Sequence, residues 1–275
     1  MSMKPQLGND TDSTQHEDDW FNANAAKKDI QHFVKSFRGK RTLDLLDLFG
    51  ASGSVSAIFK NKGQKNCAVY DLKINGATDD ICAEEGFYNL LTLACRMKSG
   101  GLVMGGPPCS LFVFMSSSIH RRSLDNPWGN TKYASVRLAN RIVSNMAVVL
   151  DVLMQRDVHI VIEQPSGSAM FRLPPLAAVV AKPGWARVFT YMGAFEHDML
   201  KPTILMGTLP TLHRMKRRRP DPQKFRKIKS TFYVNGKVGK KKTLTGRKAL
   251  QGSAAYTKCF CRDLHKTWVE AVEGR

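Results

Sequence analysis

No run of apolar residues in this chain is long enough to cross a bilayer. The opening residues, MSMKPQLGNDTDSTQHEDDW, lack the basic stretch followed by an apolar one that marks a secretory signal. Six cysteines, at positions 67, 82, 95, 109, 259 and 261, include no C-x-x-C pair. Neither a disulfide framework nor a zinc site is therefore expected, no metal is called for, and the thiols read as reduced in an intracellular protein. There is no internal repeat. Acidic residues are scarce where basic ones gather: the first 200 residues hold 22 Lys and Arg against 19 Asp and Glu, while the last 75 hold 20 against 4. Almost all of the net charge of +19 therefore sits in the last quarter. A near-neutral body with a basic end reads as a contact surface for a phosphate backbone. A solubility or import segment is the other reading. The run Lys216–Arg219 would direct a eukaryotic protein to the nucleus, and the cytoplasm is expected otherwise.

What is present suffices for a buried α/β core, since the chain has 275 residues and 43% hydrophobic content. Residues 1–24 are polar and acidic (Asp10, Asp12, Glu17, Asp18, Asp19) and are expected to be disordered. Ile30, Phe33, Val34 and Phe37 recur at helical spacing, which predicts a helix over 25–37. Strand-like and helical runs then alternate: TLDLLDLFG, GSVSAIFKNKG, NCAVYDL, EEGFYNLLTLACRMKSGG, GLVMGG, a long helix from Ala134 to Arg156, and VHIVIEQP. That order predicts a Rossmann-like α/β fold, a doubly wound and mostly parallel sheet with helices on both faces. ARVFTYMGAF and KPTILMGTL, joined by EHDML, predict an antiparallel hairpin at one edge. Residues 25–210 thus form the core and 211–249 a small basic insert. A last helix in 250–275 returns to the core with Phe260, Leu264, Trp268 and Val269.

Ligands of such sheets bind outside the carboxyl ends of the strands, and several strand ends here carry unusual residues. DLFGASGS, Asp47 to Ser54, places small residues between a strand and a helix, where a backbone can approach a ligand closely; a plain turn is the alternative. Asp71 ends the second strand, where a nucleoside ribose would be bound, or where a carboxylate caps a helix. In TDDIC, Asp79 or Asp80 would meet an adenine edge or cap the helix that starts near Glu84. GGPPCSLF holds Cys109 on a turn stiffened by Pro107 and Pro108. That thiol is either a small buried hydrophobe or a nucleophile. A strong thiol nucleophile needs a lowered pKa, which nearby cations supply, and His120, Arg121 and Arg122 follow in the same loop. Glu163 ends the apolar strand IVIEQP, an unfavourable place for a carboxylate that is neither paired nor working. A thiol and a carboxylate at neighbouring strand ends can face one cleft.

Taken in order, these residues resemble the cytosine-C5 DNA methyltransferase family, as a compact and divergent member. DLFGASGS is similar to its cofactor loop, GGPPCSLF to its G-P-P-C nucleophile loop and IEQP to its E-N-V strand end; KPTILMG and AAYTKCFCRDL extend the likeness, which covers about residues 42 to 270. Ala51 and Ser54 stand where the family has glycines, Gln164-Pro165 where it has Asn-Val, and its Q-R-x-R element is not visible. The resemblance implies S-adenosyl-L-methionine as cofactor, held by Asp47, Phe49, Gly50, Ser52, Gly53, Asp71, Asp80, Ile81 and Pro107. It implies Cys109 as nucleophile on C6 of cytosine and Glu163 as its partner at N3. Substrate contacts fall to Pro108, Ser110, Arg121, Arg122, Gln164 and Lys201, and to Arg217, Arg218 and Arg219 of a reduced target-recognition region at 211–249. The implied substrate is DNA, with base flipping and the loop after Cys109 as a closing lid. The same chemistry on RNA, or a non-catalytic nucleic-acid-binding protein with this fold, are the alternatives.

Overall fold

The computed structural model describes residues 20–50, 52–225 and 255–274. The acidic stretch up to Asp19, Ala51, and the 226–254 stretch that holds most of the basic insert lie outside the described residues. The elements in chain order are α1 (Lys27–Ser36), β1 (Leu43–Leu48), α2 (Ser54–Asn61), β2 (Cys67–Tyr70), α3 (Leu72–Asn75), α4 (Glu84–Arg96) and β3 (Met97–Gly105). Then follow α5 (Ser117–His120), α6 (Ala134–Met154), β4 (His159–Pro165), α7 (Pro174–Val180), β5 (Ala186–Tyr191), β6 (Pro202–Gly207) and α8 (Lys258–Glu273).

The six strands form one mixed sheet in the order β2-β1-β3-β4-β6-β5. β2, β1, β3 and β4 are mutually parallel; β6 runs antiparallel to β4, and β5 antiparallel to β6. This is the expected mostly parallel sheet with an antiparallel hairpin at its edge, and it is compatible with a Rossmann-like arrangement. The period of two decides which helices each side chain meets. Leu46 and Leu48 of β1, Val103 of β3 and Ile160 and Ile162 of β4 join one core with α4, α6 and α7. Leu45, Leu102, Met104 and Val161 face the other way, into a second core with α2 and α8. Strands buried on both faces read as the near-continuous apolar runs seen in the sequence. Among the described residues, no helix is long and apolar enough to cross a membrane.

Two boundaries differ from the sequence expectation. Residues 20–24, expected in the disordered segment, pack on the core. The Phe21 ring lies 4.7 Å from that of Phe87, and its N–H donates to the Cys82 carbonyl at 2.7 Å. Trp20 and Phe21 bring apolar area that the acidic residues before them lack. Likewise the core does not end at 210. Leu212 and Met215 are buried in the second core, and the Thr211 hydroxyl donates to the Thr267 carbonyl at 2.6 Å. Two apolar side chains three residues apart on a 3-10 turn (Leu212–Met215) face one way, toward α8.

α6 carries the expected stripe of Val136, Val143, Met146, Val149, Leu150 and Leu153, all buried, and beside it a fully buried Asn145. Asn145 Oδ1 accepts from Ala23 N–H at 3.1 Å, and its Nδ2 donates to the carbonyls of Phe21 (2.9 Å) and Ile81 (2.8 Å). One amide thus ties the incoming chain to α6 and to the residues before α4. Replacing Asn145 by Ala leaves three backbone groups without this partner. The expected loss is about 3 kcal/mol of stability, read as a lower urea midpoint with unchanged denaturant slope.

Candidate active site

The chain moves from β1 outward to β2 and then crosses back to place β3 on the other side of β1. The crevice outside the carboxyl ends of the strands lies at that reversal. A cleft of about 910 Å³ opens there, within the range of small-molecule sites. Its wall brings together Asp47, Phe49, Gly50 and Ser52 after β1, Asp71 after β2, Asp80 and Ile81 before α4, and Pro107, Pro108, Cys109 and Ser110 after β3. Glu163 and Gln164 of β4 and Lys201 before β6 complete it. These residues, far apart in the chain, were singled out from sequence and share one cavity.

Asp47 is buried at the end of β1. Its Oδ2 accepts from the Ser56 N–H in the first turn of α2 at 3.1 Å, and its Oδ1 has no hydrogen-bond partner among the described residues. Burial, helped by the nearby Asp71 carboxylate, lifts its pKa from 3.8 to about 7 against the opposing Ser56 bond. Gly50 is required beside it: a Cβ there would stand 2.4 Å from Asp47 Cγ. Phe49 holds a left-handed backbone at φ 58°, as does Lys201 at φ 36°, and such strain in non-glycine residues gathers at working sites. Asp71 Oδ1 accepts from the Lys73 N–H at 2.8 Å, so it caps α3 and lines the cleft at once. Asp79 accepts from Asp71 N–H, Asn75 Nδ2 and Asn89 Nδ2 at 2.8, 2.6 and 2.9 Å, which makes it a brace for this wall. Asp80 binds the Cys82 N–H at 2.8 Å.

On the opposite wall the Glu163 carboxylate is buried. Lys201 Nζ stands 3.4 Å from Oε1, and the Tyr256 hydroxyl donates to Oε2 at 3.4 Å. Oε1 accepts no hydrogen bond among the described residues. Tyr256 was not anticipated. It lies just before the N-cap Thr257 of α8, and no chemical motif surrounds it. Gly106 admits it, because a Cβ at that position would meet the Tyr256 oxygen at 2.5 Å. Burial and the Glu163 carboxylate push the phenol pKa well up, so it stays a donor.

The Cys109 thiol is half-buried, and its pKa is raised. Desolvation acts first and Glu163 second, with Lys201 opposing. The cations expected to lower it do not act on it. His120 donates to the Val113 carbonyl at 2.9 Å. Arg122 turns into its own loop, donating through Nε and Nη1 to the carbonyls of Leu111, Pro127 and Trp128 and to Asn140 Oδ1 of α6, with its guanidinium 4.1 Å above the Phe112 ring. Arg122 therefore braces the loop, and it does not line the cleft.

Gln164 lines the cleft and has a structural task as well. It is 0% exposed, donates to the Pro107 carbonyl at 2.8 Å and accepts from Ser168 at 2.9 Å, so it fixes the Pro-Pro-Cys turn. Arg121 is exposed and does not line the cleft. Arg217 pairs with Asp263 and lies 5.1 Å from the Phe195 ring, while Arg218 and Arg219 are exposed; none of the three lines the cleft. Gly53 supplies the left-handed turn that starts α2, at φ 59°, and is likewise not in the wall. Among the described residues no cluster of His, Cys, Asp and Glu has the makings of a metal site. No protein-family model matches the chain, and no curated protein matches it.

Two outcomes follow from these electrostatics. Between about pH 4 and 7 the folded protein keeps a proton on Asp47 that the unfolded chain has lost, so stability falls as pH rises through that window. Asp47→Asn is expected to exceed the wild type by about 2–4 kcal/mol at pH 8 and to match it near pH 4, in chemical unfolding at both pH values. Removing the Glu163 charge lowers the Cys109 pKa, and removing Lys201 raises it. Iodoacetamide labelling of the Cys109 peptide, followed by mass spectrometry at neutral pH, should accelerate about threefold to tenfold in Glu163→Gln and slow in Lys201→Met.

Proposed function

We propose that this chain is an S-adenosyl-L-methionine-dependent methyltransferase that acts on C5 of cytosine in DNA. The observation that carries the reading is the meeting of Cys109 and Glu163 in one cleft, with the Glu163 carboxylate buried between Lys201 and Tyr256. The far end of the same cleft suits the cofactor. Phe49 and Ile81 offer apolar surface to an adenine, and Asp71 and Asp80 offer carboxylates to hydroxyl and amino groups, with Asp47 in the same wall. When bound, the cofactor supplies a sulfonium methyl group for C5.

C5 of cytosine is a poor nucleophile until an atom adds at C6. The Cys109 thiol gives its proton to the Glu163 carboxylate as its sulfur bonds to C6, and Glu163 passes that proton to N3, so electron density moves toward C5. Once C5 carries the methyl group, the cofactor's sulfur being left as a neutral thioether, the C5 proton leaves to a base. The N3 proton then returns to Glu163, the sulfur–C6 bond breaks, and the sulfur takes its proton back from Glu163. Lys201 and the Tyr256 hydroxyl orient the carboxylate, and Gln164 holds the turn from which the sulfur attacks. A base stacked in a duplex must leave the helix to reach this cleft. The charge of +19 supplies attraction to the backbone.

The test is incubation with labelled S-adenosyl-L-methionine and separate DNA and RNA pools, followed by nucleoside analysis. Labelled 5-methylcytosine in the DNA pool is expected; label confined to RNA assigns the same chemistry to RNA. Cys109→Ala should abolish both methylation and the adduct trapped by a 5-fluorocytosine substrate, at least about a thousandfold in rate. Normal methylation by Cys109→Ala would overturn the mechanism.

A further inference from the structure

A second cavity, of about 600 Å³, opens on a different face of α6 from the one that sends Ile142 into the cleft. Arg137, Asn140, Arg141 and Ser144 line it at i, i+3, i+4 and i+7, together with the indoles of Trp20 and Trp128. The stripe is polar although Asn140 and Ser144 are only 6% and 7% exposed, which is unusual for a helix face turned inward. No carboxylate lines the cavity among the described residues.

The polar groups divide into two kinds. Asn140 is structural: its Oδ1 accepts from Arg122 at 2.8 Å and its Nδ2 donates to the Trp128 carbonyl at 3.0 Å, which fixes the Trp128 backbone against α6. Arg137 donates to the Thr131 carbonyl. Arg141 makes no hydrogen bond or ion pair with another described residue and lines the cavity. A fork of N–H donors suits phosphate, and a flat indole suits a nucleobase. Their presence in one cavity of this size, with positive charge and no acid, selects a ligand that is both aromatic and anionic.

We infer that this cavity binds a nucleoside 5′-phosphate unit, its base against Trp20 or Trp128 and its phosphate on Arg141. The inference does not depend on the chemistry of the cleft. The unit is either a free nucleotide or one residue of a polynucleotide, and the two sources share the same recognition chemistry. Occupancy would bear on the nucleophile loop as well, because Arg122 joins Trp128 and Asn140 to the Leu111 carbonyl, two residues beyond Cys109.

The test titrates the full chain with uridine 5′-monophosphate, uridine and a short oligouridylate at fixed ionic strength, following tryptophan fluorescence. Uridine carries neither the cytosine nor the adenine proposed for the cleft. The monophosphate is expected to bind at least about tenfold more tightly than uridine, and Arg141→Ala should remove that difference. Trp128→Ala should weaken binding about tenfold, with recovery in Trp128→Phe, which keeps a stacking ring. Cys109→Ala and Asp80→Ala, in the cleft, should leave it unchanged. Dependence on Arg141 for the monophosphate points to a free nucleotide, and dependence for the oligouridylate alone points to a polynucleotide. If Arg141→Ala and Trp128→Ala remain folded by circular dichroism and bind both ligands as the wild type does, or if the wild type binds neither, the site is refuted.

Discussion

Parallel hydrogen bonding sets Leu48 of β1 level with Gly105 of β3, and Gly105 level with Ile162 of β4. The walls of the cleft depend on that register. The next residue on each strand is Phe49, Gly106 or Glu163, so the turn after β1, the turn after β3 and the Glu163 carboxylate stand at one height. A slip of one residue would turn each strand's side chains to the opposite layer. The two cores prevent this, since Leu46, Val103 and Ile162 fill one layer while Leu45, Leu102 and Val161 fill the other. Burial on both faces therefore does more than stabilise the sheet: it fixes where the cleft's chemistry emerges.

That register also forces carboxylates into poor solvent, and the consequences are electrostatic. Asp47 and Glu163 each keep one buried oxygen without a hydrogen bond from the described residues, a costly arrangement unless a ligand supplies the donor. The Cys109 thiol is held neutral by its own desolvation and by the charge of Glu163. On the proposed reading, thiol and carboxylate take part in one proton transfer. Cys109 must lose a proton to attack C6, and N3 must gain one. A proton passed to the carboxylate relieves the repulsion that keeps the sulfur protonated. The raised thiol pKa thus suits a nucleophile that is quiet until a base enters.

Much of this was legible in the sequence, and particular residues show why. Asp47, Cys109 and Glu163 interrupt apolar or glycine-rich strand ends, where a polar group needs a reason, and the alternation of strands and helices says that such ends share an edge. Tyr256 was not legible, because it enters from the start of the last helix and meets Glu163 only through long-range packing of α8 against α2. Arg122 misled for a related reason. Its type suits substrate binding, but the loop after Cys109 has inward carbonyls that must find donors, and this side chain supplies them. The packing of Trp20 and Phe21 was hidden by the acidic residues beside them, which dominate a compositional reading.

α6 shows how one helix serves both sides of this arrangement. Its apolar stripe fills the core, Ile142 reaches the cleft, and Asn145 holds the chain before α1 together with Ile81, which lines that cleft. Asn140 does the same for the loop beyond Cys109, through Arg122 and Trp128. Leucine or alanine at either position would suit the helix better by propensity alone. Each asparagine instead satisfies backbone or side-chain groups of segments that have no regular partner of their own, and an unmet donor or acceptor there would outweigh the helical preference. The two walls of the cleft are consequently not independent: a displacement of α6 would move Ile81 and the loop after Cys109 together.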